Sequence, residues 1–252
     1  MKSTILGISI FPYTKETILE KIIKYIESST DSCHIVSLNP ENLVESQKNH
    51  LFKKALQAAQ IKIVDGVGVV LAGRILNVEV GERQTGVDLM KRLIVEANKR
   101  RLRVLLIGGK PGLALKLSQC YQKEFHEARF FGTTGIKDIK KIQRSEEDEV
   151  FSIVADFKPR LVFVAFGSPA QEIWIEKNKA KFKDCVCMGV GGAFDYLGGN
   201  IERAPVFIQK IGLEWLFRLI IQPWRIKRQL KLIVFLGLVL KERCQQVWKK
   251  KS

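Results

Sequence analysis

The sequence predicts an α/β protein, a mostly parallel, Rossmann-like sheet covered by helices, followed by a basic helical appendage at the C-terminus. Three observations lead there. Short apolar runs alternate with segments of helical period, the pattern of strands joined by crossover helices. Several of those runs end in polar or glycine-bearing turns, where an open α/β sheet places its ligand crevice. Finally, +10 of the formal net charge of +16 lies between Arg203 and Ser252.

Strand-like runs occupy residues 4–10, 34–37, 61–64, 104–107, 161–165 and 185–190. Helix-like segments lie at 15–27, 41–59, 67–76, 86–99, 113–124, 146–157 and 170–179. The turns that follow the strands are Ser37-Leu38-Asn39, Asp65-Gly66, Gly108-Gly109-Lys110-Pro111-Gly112, Phe166-Gly167-Ser168-Pro169 and Gly189-Val190-Gly191-Gly192. The composition shifts near Arg203, which divides the chain into a catalytic α/β domain, 1–202, and a basic, aromatic-rich appendage, 203–252.

The appendage reads as two helices broken at Pro223. Ile226, Leu230, Ile233, Val234 and Leu238 recur at helical spacing, and Trp215, Trp224 and Trp248 supply rings suited to a bilayer interface. Two readings are open: a helix pair completing the core with solvated basic edges, or a surface that rests on an anionic membrane.

A chain of 252 residues with 46% hydrophobic residues can bury a sizeable core and is not disordered. No apolar run approaches the roughly 18 residues of a spanning helix. With no cleavable apolar leader, the expected location is cytoplasmic, peripheral on the inner face of the cell membrane. The five cysteines (Cys33, Cys120, Cys185, Cys187 and Cys244) suit neither a disulfide framework nor a zinc site and read as reduced, mostly buried thiols. His34, His50 and His126 are isolated, so no metal centre is expected.

Several turns carry side chains with chemical potential. Asp65, at the end of a strand and followed by glycines, can act as a general base toward a hydroxyl or can cap helix 67–76. Ser37 and Asn39 share a facing suited to a sugar or phosphate; alternatively Asn39 caps a helix with Pro40 at its first position. Arg83 can stabilise charge on a diphosphate leaving group, or pair with Glu82 or Asp88. The Gly108–Gly112 turn resembles a phosphate cradle but fits neither common phosphate-loop pattern. Gln171 can hydrogen-bond a substrate, while Glu172 complements the helix dipole. Gly191 and Asp195 can meet a nucleotide or form a second capped turn.

Together, Ser37-x-Asn39-x-Glu41, Asp65-Gly66-x-Gly68, Glu82-Arg83-x-x-Gly86-x-Asp88, Gly167-x-Pro169-x-Gln171-Glu172-x-Trp174, Gly189-Val190-Gly191-x-x-Phe194-Asp195, Arg203-Ala204-Pro205 and Gly212-Leu213-Glu214-Trp215-x-x-Arg218 resemble the WecG/TagA/CpsF glycosyltransferases. The likeness covers essentially the whole chain. It implies an inverting, metal-independent enzyme without cofactor. Such an enzyme moves N-acetylmannosamine or a relative from a UDP-sugar to an undecaprenyl-diphosphate-linked sugar, for cell-surface polysaccharide or teichoic acid. It further implies Asp65 as base, with Ser37, Asn39, Arg83 and Gln171 lining the site. Arg218, Arg225 and Arg228 fall at basic positions of an appendage that closes over the site, and relatives self-associate. Ser37 stands where relatives often carry threonine, which keeps the hydroxyl. The competing reading is a non-catalytic membrane- or nucleic-acid-binding protein using the tail. The tryptophans, and the lack of any nucleic-acid-binding signature, favour the membrane.

Overall fold

The computed structural model describes residues 3–28, 31–199, 204–205, 207–208, 212–223 and 226–249, with backbone alone at 218, 227–229 and 249. In chain order the elements are β1 (Thr4–Ile5), β2 (Ile8–Ser9), α1 (Lys15–Ser28), β3 (Cys33–Leu38), α2 (Pro40–Lys48), α3 (His50–Ala58), β4 (Ile61–Val64) and α4 (Val67–Leu76). They continue with α5 (Gly86–Lys99), β5 (Arg103–Gly108), α6 (Leu113–Glu124), β6 (Arg129–Thr133), α7 (Arg144–Phe157), β7 (Leu161–Ala165), α8 (Ala170–Lys177), β8 (Val186–Gly189) and α9 (Ala193–Leu197). Helices Glu214–Ile221 and Ile226–Lys249 follow.

Six strands form one parallel sheet in the order β4-β3-β8-β7-β5-β6. Parallel pairing requires crossovers, and the crossover helices bury both faces. Alternate strand residues divide accordingly. Ile35, Ile63, Leu106, Phe163 and Met188 pack beneath α1, α5 and α6. On the opposite face Val36, Leu38 and Val64 meet α2, α3 and α4, while Leu105, Ile107, Val162 and Val164 meet α7 and α8.

Three expectations change. Residues 4–10 form not a sheet strand but a small antiparallel hairpin, pairing Thr4 with Ser9 and Ile5 with Ile8. Leu6 and Gly7, at φ 51° and 77°, make the tight turn that favours such hairpins. The single helix expected over 41–59 divides at Asn49, whose side chain accepts the Phe52 N–H at 3.0 Å and so starts α3. Strand β6 escaped the reading because it is short, half exposed and interrupted by Gly132 at the sheet's edge. The cysteines are all free: Cys33, Cys185 and Cys187 are buried, Cys120 and Cys244 exposed.

The last helix lies against α2 and α4. Phe235 and Val239 enter the core completely. Lys231 Nζ reaches Glu45 Oε2 at 2.9 Å, and Glu242 Oε2 accepts the Leu6 N–H at 2.9 Å, tying both ends of the seam. Other apolar side chains of the helix stay exposed, Ile233 at 69% and Trp248 at 80%. The docked side agrees with the reading of a helix that completes the core. Among the described residues no helix is long and apolar enough to cross a membrane.

Phe235→Ala is expected to cost about 3–5 kcal/mol of stability, by loss of transfer energy and creation of a cavity. Ile233→Ala, on the uncovered face, is expected to stay within about 0.5 kcal/mol. Urea denaturation of both variants measures the contrast, and equal losses would show that the helix does not dock by this seam.

Candidate active site

Strand β4 is buried along its whole length, so its hydrogen-bond ladder is rigid where it emerges at the carboxyl end. The ladder does not stop with the last apolar residue. Asp65 N–H donates to Leu38 O at 2.9 Å, and Gln84 N–H donates to Val64 O at 2.8 Å. Val64 and Arg83 form a parallel bridge. Asp65 and Arg83 therefore stand on extended backbone locked to the sheet, not on a loose loop.

The helix-capping alternative for Asp65 does not hold. Gly66 occupies the cap position of α4, and no side chain caps it. The Asp65 carboxylate turns instead to the start of α5, where its Oδ2 accepts the Gly86 N–H at 3.4 Å. A negative charge there is favoured by the helix dipole. Ser37 Oγ closes the same group: a β-carbon on Gly86 would lie 3.3 Å from it and 3.8 Å from Asp65 Oδ2. Glycine at 68 is required because a β-carbon would stand 2.6 Å from Pro40 Cγ, so the first turn of α4 packs directly on the start of α2.

Asn39 does cap α2, accepting the Asn42 N–H at 2.8 Å. It also lines a cavity of about 570 Å³ with Asp65, Arg83 and Thr85. Apolar side chains line it too, among them Leu71, Leu213, Trp215, Leu232 and Leu236, together with the charged Arg74 and Glu214. The segment after residue 211 folds back over the sheet edge. A β-carbon on Gly212, at φ 80°, would stand 2.7 Å from Val67 Cγ1 and 3.3 Å from Arg83 Nη1. Leu213 and Trp215 were not among the expected site residues. In sequence they stand in the Gly212-Leu213-Glu214-Trp215 motif, which carried the resemblance without assigning either a role.

Gln171, Gly191 and Asp195 form a second group at the ends of β7 and β8. Gln171 is buried, and its Oε1 accepts the N–H groups of Gly167 and Gly191, each at 3.1 Å. Its Nε2 donates to Glu172 Oε1 at 2.8 Å. Asp195 Oδ1 pairs with Lys110 Nζ at 3.2 Å, which brings in the Gly108–Gly112 turn. Glu172 stands in the first turn of α8, as expected of a group that complements the helix dipole. It is wholly buried, and burial pushes its carboxyl up, against the opposing hydrogen bond from Gln171.

A polar seam joins the groups. Ser168 Oγ lies 3.0 Å from Asn42 Oδ1, as its donor, and Asn42 Nδ2 donates to Ser37 O at 2.9 Å. Asn42 gave no signal in sequence beyond being polar within a buried helix face. Of the expected C-terminal arginines, Arg225 lies outside the described residues, as does Arg203. Arg218 and Arg228 are placed only as helix backbone. Among the described residues no cluster of His, Cys, Asp and Glu gathers in a metal-binding arrangement.

The model of the glycosyl transferase WecG/TagA/CpsF family matches residues 3–249. The N-acetylglucosaminyldiphosphoundecaprenol N-acetyl-beta-D-mannosaminyltransferase of Bacillus subtilis (strain 168) is 32% identical over 210 residues, 82% of this chain and 79% of that protein. The protein of the same description from Bacillus spizizenii (strain ATCC 23059 / NRRL B-14472 / W23) is 32% identical over 209 residues, 82% of this chain and 78% of the relative.

The raised Glu172 carboxyl has a pH signature. The folded chain holds its proton above the ordinary glutamate value of 4.5, so its contribution to stability is complete below that value. The contribution is lost as pH rises through the folded-state pKa. Glu172→Gln is therefore expected to gain stability relative to the parent as pH rises from about 4.5 upward. Urea titrations at a series of pH values test this, and parallel stability curves would count against a neutral Glu172.

Proposed function

The chain belongs to the WecG/TagA/CpsF glycosyltransferase family, and from that premise we propose that it transfers N-acetylmannosamine from UDP to undecaprenyl-diphosphate-linked N-acetylglucosamine. The carrying observation is the placement of Asp65 and Arg83 on adjoining, ladder-locked backbone in the wall of one cavity. Sugar transfer with inversion needs a base on one face of the anomeric carbon and compensation of the departing diphosphate on the other.

In this scheme the Asp65 carboxylate takes the proton of the acceptor hydroxyl as its oxygen bonds to the anomeric carbon. The bond from that carbon to the UDP oxygen breaks, and its electron pair leaves with the nucleotide. Arg83 meets the growing negative charge, so cationic side chains do what a metal ion does in other transferases. Arg218, Arg225 and Arg228 join it from the appendage, residues 203–252. Ser37 and Asn39 orient the sugar, and Gly191 with Asp195 receives the nucleotide. The activity for which the relatives are named, with its lipid-linked acceptor and β-mannosaminyl product, supports the choice of substrates.

The acceptor's lipid places the reaction at a membrane. The apolar side chains of the cavity wall and the uncovered Ile220, Leu230, Ile233 and Trp248 support peripheral attachment to an anionic bilayer. Basic residues near such a surface contribute about 1 kcal/mol each, an attraction that weakens with salt.

Asp65→Asn is expected to lower turnover by about 10²–10⁴-fold while UDP affinity holds within a few-fold. Near-normal turnover in the purified variant would remove Asp65 from its role. Nucleotide sugars assayed with a short-chain lipid-diphosphate-N-acetylglucosamine acceptor should give product from UDP-N-acetylmannosamine without added metal. Product mass reads the outcome, and no transfer from any UDP-sugar would sink the reading. Co-sedimentation with anionic vesicles should fall steeply as salt rises. Tighter binding to duplex DNA in a gel shift would point to nucleic acid instead.

A further inference from the structure

Helix α8 begins with two buried polar side chains that the reaction scheme leaves without a part. Gln171 is 3% exposed and Glu172 1% exposed. The Gln171 carboxamide lies between two turns, its single oxygen shared by the N–H groups of Gly167, after β7, and Gly191, after β8. The fit is close. A β-carbon on Gly189 would stand 2.6 Å from Gln171 Nε2, so the end of β8 is built against the amide.

A carboxamide keeps nearly the same shape when turned through half a revolution, but its hydrogen bonding reverses. Only one orientation offers oxygen to Gly167 and Gly191. The other sets an NH₂ group against two N–H donors and leaves both unsatisfied in a buried place, where each orphan is costly. The Glu172 carboxyl, whose Oε1 accepts from Gln171 Nε2, adds a third bond to the same orientation and ties down the end of the amide that the two glycines leave unheld.

We infer that Glu172 is a positioning residue, acting through Gln171 to hold the Gly167 and Gly191 turns in the conformation that receives the sugar nucleotide. The inference rests on the reading of Gly191 and Asp195 as the donor side. Gly191 has φ 48°, and Asp195 follows within α9, held toward Lys110, so a shift at Gly191 carries Asp195 with it. Burial favours the neutral acid at Glu172, and a glutamine there has the same shape and retains a carbonyl acceptor. Aspartate is one methylene too short to reach the amide, and methionine offers no comparable acceptor.

The test uses Glu172→Gln, Glu172→Asp and Glu172→Met in the full chain. Amide hydrogen exchange at Gly167 and Gly191 is read without ligand, and UDP affinity by calorimetry. Glu172→Gln should keep both within about two-fold of the parent. The Asp and Met variants should speed exchange at both amides and weaken UDP on the order of ten-fold, with exchange inside β5 and β7 unchanged. In turnover, the donor KM should rise in those two variants while the acceptor KM holds. Parental exchange at both glycines in the Asp variant overturns the inference, and that variant decides alone should the Met variant not fold. A parent protein that fails to bind UDP refutes the donor reading, whereas the exchange measurement still decides the clamp.

Discussion

Two backbone hydrogen bonds past the last apolar residue of β4 set the rest of the site. Asp65 N–H to Leu38 O and Gln84 N–H to Val64 O extend the sheet into the turns, so its stiffness reaches Asp65 and Arg83. A parallel sheet covered on both faces can meet a ligand only at its carboxyl edge. Side chains carried on loops there must be fixed by other means, whereas Asp65 and Arg83 inherit their positions from the core itself. The packing of α4 on Pro40 and of Gly212 over Arg83 follows from that backbone path.

The carboxyl edge is furnished in two halves, and what joins them is polar and sits beneath the surface. Ser168, Asn42 and the Ser37 carbonyl form one course of it, Gln171 and Glu172 another. Such groups add little net stability when satisfied but are expensive when one partner is lost, so they specify geometry more than they strengthen the fold. Both halves can then be placed against one substrate pair without lengthening either loop.

Much of this was legible in the residues. Runs such as 104–107 and 161–165 are apolar without alternation because both sheet faces are covered, and that pattern needs no partner to be read. The hairpin at 4–10 and the break at Asn49 were hidden because a turn of Leu6-Gly7 and a mid-helix asparagine look ordinary until tertiary contacts choose between local alternatives. The site divides likewise. Asp65 and Asn39 announced themselves at strand ends, but one residue type allowed two roles, and only the path to Gly86 shows that Asp65 does not cap α4. Arg83 beside Val64, and Glu172 beneath Gln171, are relations between distant or inward-facing positions that no local pattern encodes.

The C-terminal helix has a thermodynamic consequence. Phe235 and Val239 plug the core while Leu232 and Leu236, on the same helix, form part of the cavity wall. Occupancy of that cavity and docking of the helix are therefore linked functions. A molecule that touches the wall only when the helix is seated must stabilise the seated state by its differential affinity, and seating must tighten the molecule by an equal factor. For any molecule bound there, the C-terminal helix is a component of the binding equilibrium, and substitutions along its buried seam are felt as changes in apparent affinity even where they do not touch that molecule.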